Sequence, residues 1–204
     1  MKKLGKDFFL RENVVDISRE LIGKFLVTNF NNIITSGMII ETEAYNGVID
    51  KASHAYKGRR TARNEIMYGE GGNTYVYLCY GIHHLFNIVT NKKDIPHAVL
   101  IRALIPKEGI DTVLKRRNQK SINKKIADGP GTLSQALGIR TSHTGIPLSG
   151  KTIWVEDRKI EFSKKDIKAG PRIGVDYAGK DALLPYRFRL NDNLITSITD
   201  EWHF

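Results

Sequence analysis

The chain has a single cysteine, Cys79, set in an apolar run. That excludes an intramolecular disulfide and any zinc site built on paired thiolates, and it suits a reducing compartment. Long hydrophobic runs are also missing. Nothing approaches the roughly 20 apolar residues that cross a bilayer. The basic start, Met1-Lys2-Lys3, is followed only by Phe8-Phe9-Leu10 before Arg11, which is too short for a signal-peptide core. Negative charge is scarce: 22 Asp and Glu stand against 32 Lys and Arg, a net charge of +10. Such a surplus points to a polyanionic partner, nucleic acid first, with plain solubility as the bland alternative. What remains is ordinary. Hydrophobic residues make up 41% and charged residues 26% of 204 positions, which fits a globular chain of one domain with a sizeable core. Repeats, low-complexity tracts and linkers are absent.

The hydrophobic pattern predicts the elements in order. Val14, Ile17, Ser18 and Leu21 share a helical face in an amphipathic helix over 12–22, stopped by Gly23. A strand over 24–30, an Asn31-Asn32 turn and a return strand over 33–45 form a hairpin. Residues 46–58 are polar and irregular, and 61–68 read as a short helix. Thr74 to Tyr80 is strongly strand-like, turns at Gly81 and pairs back through 85–90. A further strand covers 98–105. Helices are expected over 107–118 and from Gly129-Pro130-Gly131 to Leu137. A hairpin centred on Asp157 and strands over 170–176 and 186–190 complete an α+β chain with a mainly antiparallel sheet.

Within the return strand lies Glu41-Thr42-Glu43-Ala44-Tyr45. Strand alternation puts Glu41, Glu43 and Tyr45 on one face. Two carboxylates and a tyrosine together are unusual in a core strand and ordinary in a site. Glu43 and Arg102 are charges inside apolar strands. They read either as a structural ion pair or as a general base kept ionised by a cation. Tyr75 and Tyr77 share a strand face and Tyr80 lies at the turn; core packing and base stacking account for this run equally well. Of the histidines, His83, His84, His97, His143 and His203 read as surface or hydrogen-bonded groups. His54 differs, because it follows the carboxylate strand in a polar loop. No metal-ligand spacing occurs. Gly145 to Thr152 fits the phosphate-loop pattern G-x-x-x-x-G-K-T, but no buried strand precedes it and Thr152-Ile153-Trp154-Val155 reads as a strand where a helix is required.

Taken together, Glu41 to Tyr45, Ala52-Ser53-His54, Thr61-Ala62-Arg63-Asn64, Tyr75 to Gly81, Asn87-Ile88 and Leu100 to Leu104 strongly resemble the alkyladenine, or 3-methyladenine, DNA glycosylases. The likeness continues through Gly129-Pro130-Gly131, Gly170 to Val175 and Pro185 to Phe188, in order and over nearly the whole chain. The resemblance implies a single glycosylase domain over residues 1–204, with a curved, mainly antiparallel sheet flanked by helices, distinct from the helix-hairpin-helix glycosylases. The implied activity is flipping of a damaged purine out of the duplex and hydrolysis of its N-glycosidic bond. Glu43 matches the general base and Arg102, rather than Glu41, its partner. Tyr45, His54 and Tyr77 match the walls around the flipped base, Asn87 the screen at the purine 2-position, and Tyr80 the side chain that wedges into the gap. No lysine stands at a matched catalytic position, so no Schiff-base step is expected. The implied partner is double-stranded DNA containing damaged purines, met by a monomer with no cofactor, no metal and no membrane. The resemblance also implies a minimal bacterial form, cytoplasmic and held at the nucleoid by its DNA binding. A non-catalytic basic nucleic-acid-binding protein of the same fold is the alternative. The turn Gly81-Ile82-His83-His84 and the loop 91–97 are where the chain departs most from its relatives.

Overall fold

The computed structural model describes residues 1–203; Phe204 and the side chain of His203 lie outside the described set, so the surface reading of that histidine falls there too. In chain order the elements are β1 (Lys2–Lys3), α1 (Lys6–Phe9), α2 (Val14–Glu20), β2 (Phe25–Phe30), β3 (Ile33–Tyr45), β4 (Thr74–Cys79), β5 (His83–Thr90), β6 (His97–Glu108), α3 (Ile110–Arg117), α4 (Pro130–Leu137), β7 (Ile153–Asp157), β8 (Ile167–Gly170), β9 (Arg187–Leu190) and α5 (Asp192–His203). Short 3-10 turns fill the connections, among them Tyr56–Gly58, Glu65–Tyr68 and Asp176–Leu183.

β3 is the axis of the sheet. Along one edge it pairs with β6 from Ser36 to Tyr45. Its other edge is divided: β2 takes Ile33 to Met38 and β9 takes Glu41 to Glu43. The full order is β1-β7-β2-β3-β6-β5-β4, with β8 joined to β9, and every pair of strands is antiparallel. The β2–β3 turn takes its shape from Asn31 and Asn32, at φ 54° and 62°, the left-handed pair that a two-residue hairpin needs.

Alternation along β3 separates two environments. Ile40, Thr42 and Ala44 face a helix-covered core. There α2, capped by Asn13 Oδ1 on the amides of Val15 and Asp16, docks through Ser18, whose hydroxyl donates to Thr42 Oγ1 at 3.0 Å. Glu41, Glu43 and Tyr45 face the other way. At the outset Gly37 has no room for a side chain, since a Cβ there would run into Leu104 and the Ile105 carbonyl.

The sequence-based expectations hold for α2, β2, β3, β4, β5, β9 and α4 to within a few residues. Four segments differ. β6 continues to Glu108, and α3 starts only after Gly109, which turns the chain at φ 70°. The segment over 61–68 is helical only as the 3-10 turn Glu65–Tyr68. No hairpin forms about Asp157: β7 pairs with β2 and β1, because β2 offers a free edge and Ile153, Trp154 and Val155 are buried against it. The strand expected over 170–176 lies earlier, at β8, because Pro171 has no amide to continue a ladder. α1 and α5 had no counterpart in the pattern. No helix among the described residues is long and apolar enough to cross a membrane.

The phosphate-loop match lies outside any nucleotide-binding context. Its amides are committed: Gly145 N to Thr74 O, Ile146 N to Thr74 Oγ1 and Leu148 N to Gly72 O, all at 2.8 to 2.9 Å. The strand β7 follows, with no helix N-terminus to receive phosphate.

Candidate active site

A β-bulge builds the charged centre. In the β3–β6 register Glu41 faces Ala103 and Thr42 faces Ile101, so Arg102 is the extra residue between them. Bulges re-aim side chains, and this one turns Arg102 onto the carboxylate face of β3. Its Nε donates to Glu41 Oε1 at 3.1 Å, and its Nη1 lies 3.3 Å from Glu43 Oε1. Glu41 and Glu43 thus share a face, as alternation requires. The expected contact of Glu43 with Arg102 is present, and Arg102 also bridges to Glu41, with which it makes its shorter contact.

Glu43 is wholly buried. Its Oε1 also accepts from the Ile173 backbone amide at 2.8 Å, and its Oε2 accepts the Tyr45 hydroxyl at 2.8 Å. Glu41 is gripped by two further arginines from β9: Arg187 Nη1 at 3.1 Å and Arg189 Nη1 at 2.6 Å. Burial pushes the Glu41 carboxyl up, but Arg102, Arg187 and Arg189 outweigh it and hold it below the usual carboxylate range. Burial alone would weaken the Arg102 cation, yet the charges of Glu43 and Glu41 raise its pKa instead.

Over this centre opens a cavity of about 370 Å³. Tyr45, His54, Tyr77, Asn87 and Arg102 all line it, and Tyr80 stands at its rim. The site residues expected from sequence therefore converge, except that Glu43 sits behind the lining. The His54 and Tyr77 rings meet edge-to-face with centroids 4.7 Å apart, and the Arg63 guanidinium covers Tyr77 at 5.1 Å. Asn87 is fixed by its amide, which donates to the carbonyls of Tyr75 and Leu85 at 3.1 Å each. Tyr80 is 91% exposed on the β4–β5 turn, at φ 51°.

Several of these groups are held uncharged. Burial, aided by Arg63 and Arg59, lowers the His54 pKa from its ordinary 6.5 to about 4. Burial first, then the negative charge of Glu43, pushes the Tyr45 hydroxyl well up. Burial raises Tyr75 to about 12 and Tyr77 higher still. The cavity wall is thus aromatic, with an uncharged His54 and the Arg63 cation beside Tyr77, over a floor where Arg102 bridges two carboxylates.

Three further contributors were given no role by the sequence. Tyr75 binds His54, with its hydroxyl 2.8 Å from Nδ1; the aromatic spacing flagged it without separating core from site. Ile173 acts through a backbone amide, which leaves no mark in a side-chain pattern. Arg172, just before it, forms a fully buried pair with Asp50. Its signal was its place in Gly170 to Val175, a stretch that the resemblance covers but to which no site role was attached. Among the described residues no group of three or more His, Cys, Asp or Glu could hold a metal ion.

The family model for methylpurine-DNA glycosylase (MPG) matches residues 7–194. Proteins bearing the provisional name 3-methyladenine DNA glycosylase are similar over nearly full length. One from Chlamydia felis is 46% identical over 189 residues, covering 92% of this chain and 96% of its own. One from Clostridium perfringens strain 13 is 42% identical over 203 residues, covering 96% and 98%. One from Desulfitobacterium hafniense is 41% identical over 205 residues, covering 97% and 100%.

Proposed function

Because the chain belongs to the methylpurine-DNA glycosylase family, we propose that it is a monofunctional DNA N-glycosylase. It flips alkylated or deaminated purines out of duplex DNA and hydrolyses the N-glycosidic bond with a water activated by Glu43, which starts base excision repair. The observation that carries this reading is the buried Glu43–Arg102 pair beneath an aromatic cavity of about 370 Å³, within the range of small-ligand sites.

A duplex hides the glycosidic bond, so the base must leave the stack at a cost of a few kcal/mol, least for damaged or poorly paired bases. Tyr80, exposed at the turn tip, fits the gap left behind, and Tyr45, His54 and Tyr77 receive the base. Electron-rich ring faces suit a purine alkylated at N3 or N7, which is cationic. As the bond from C1′ breaks, its electron pair goes to the purine and positive charge grows on the sugar. Glu43 then stabilises that charge and takes a proton from the attacking water. A cationic lesion leaves as a neutral base, while a neutral lesion takes up a proton from solvent water as it leaves. The products are the free base and an abasic sugar. No lysine lines the cavity among the described residues, in keeping with a water nucleophile. The net charge of +10 favours a polyanionic partner, and the reading is of a monomer on damaged duplex DNA in a bacterial cytoplasm.

The test is single-turnover base release from duplexes carrying 3-methyladenine, 7-methylguanine, hypoxanthine or ethenoadenine. Release by the wild type, its loss in Glu43→Gln and retained lesion-duplex binding by that variant are expected. DNA binding without release of any of the four bases would leave a non-catalytic binding protein.

A further inference from the structure

We infer that Glu41 is a positioning residue for this chemistry, dividing the donors of Arg102 and Arg187 so that Glu43 is held but not capped. The inference rests on the proposed role of Glu43.

Glu41 does not line the cavity and its side chain is 7% exposed, so it acts only through its neighbours. Two of them lead to Glu43. An arginine facing a lone carboxylate tends to take both oxygens in a two-pronged grip. Here Glu41 Oε1 occupies Arg102 Nε, and Arg102 offers Glu43 only Nη1, on Oε1. Glu43 Oε2 is left to Tyr45, on the cavity side. The second route passes through β9. Arg187 donates Nη1 to Glu41 Oε1 and Nε to the Pro171 carbonyl at 2.8 Å. Pro171 begins the short loop whose Ile173 amide is bonded to Glu43 Oε1. Glu41 therefore steadies both donors on that oxygen. Its own Oε2 is anchored by Arg189, which also grips Asp128 at 2.8 Å.

Charge balance argues the same way. Three guanidiniums converge on β3 here. Without Glu41, the two nearest would be drawn to Glu43, the only other carboxylate on that strand face. A carboxylate clamped on both oxygens by arginine is a poor acceptor for a proton from water.

The variant Glu41→Gln keeps the shape and removes the charge. The substrate for the test is a duplex with one 7-methylguanine, and the readouts are single-turnover release, lesion-duplex Kd and thermal unfolding. Release about tenfold slower or more, with Kd within about twofold, is the expected split between transition-state and ground-state effects. Release at the wild-type rate overturns the inference and leaves the glycosylase reading intact. A matching loss in rate and affinity, or loss of cooperative unfolding, overturns it by making Glu41 a staple of the β3–β6–β9 junction. A wild-type protein that releases no base removes the glycosylase reading, and this role with it.

Discussion

Tyr45 donates its hydroxyl to Glu43 Oε2 at 2.8 Å from the same face of the same strand. One residue thereby serves two purposes, since its ring walls the cavity while its hydroxyl orients the carboxylate below. The two separate by mutation. Tyr45→Phe keeps the ring and loses a hydrogen bond to a charged group, a loss of about 1.5–3 kcal/mol. Base release is expected to slow at least about tenfold, with lesion affinity changed less than about threefold. Tyr45→Ala should lose affinity as well. Single-turnover rates and fluorescence titration on one duplex measure both.

Tyr80 combines 91% exposure with a left-handed φ of 51°. For a residue other than glycine that conformation costs about 1–2 kcal/mol, and no burial of the ring offsets it. Stability and function should therefore move in opposite directions. Tyr80→Gly is expected to leave the urea midpoint unchanged or raise it, while weakening lesion capture and slowing excision of well-paired substrates. If excision holds in Tyr80→Gly, the wedge assignment fails.

Legibility from sequence followed the reach of local rules. Asn31-Asn32 and the alternation beyond them gave away the central hairpin, and with it the face shared by Glu41, Glu43 and Tyr45. The resemblance picked out the residues that gather at the cavity. Alternation could not say what Arg102 touches, because a bulge at that very residue shifts the register. Nor could it see Ile173, whose contribution is a backbone amide placed by a loop far along the chain. Pro171 was a readable stop that the strand expected over 170–176 ran through. α5 carries an amphipathic pattern, with its own Ile195 buried, yet its polar start at Asp192-Asn193 reads as a loop.

His54 makes stability depend on pH in a defined window. Its pKa is about 4 in the folded protein, against an ordinary 6.5. Between those values the unfolded chain holds a proton that the folded chain excludes, so folding weakens as pH falls from about 7 to about 4. The ceiling for this one group is about 3 kcal/mol. His97 and His143, whose pKa values are also lowered by burial, act in the same direction. Urea midpoints measured between pH 7 and pH 4 should decline, and the decline should be shallower in His54→Gln. An identical slope in that variant would assign the effect to the other histidines and to carboxylates such as Glu41 and Glu108 held below their ordinary range.

Arg172 and Asp50 form the most deeply buried ion pair among the described residues, with side chains 0% and 1% exposed. The guanidinium grips both carboxylate oxygens, at 2.5 and 2.8 Å, and donates to the carbonyls of Ala44 and Asp181. It also lies 4.9 Å from the Tyr45 ring centroid. This pair ties the Ile173 loop to the end of β3, so its loss should disturb stability and site together. Removing one partner strands a buried charge, which costs about 3–5 kcal/mol. Asp50→Asn is therefore expected to lower the urea midpoint strongly. The double variant Asp50→Asn with Arg172→Met should regain part of that loss, because no uncompensated guanidinium remains. Base release should not recover with it, since neither variant restores the anchor that presents the Ile173 amide to Glu43. Recovery of stability and excision together would mean that the pair serves the fold alone.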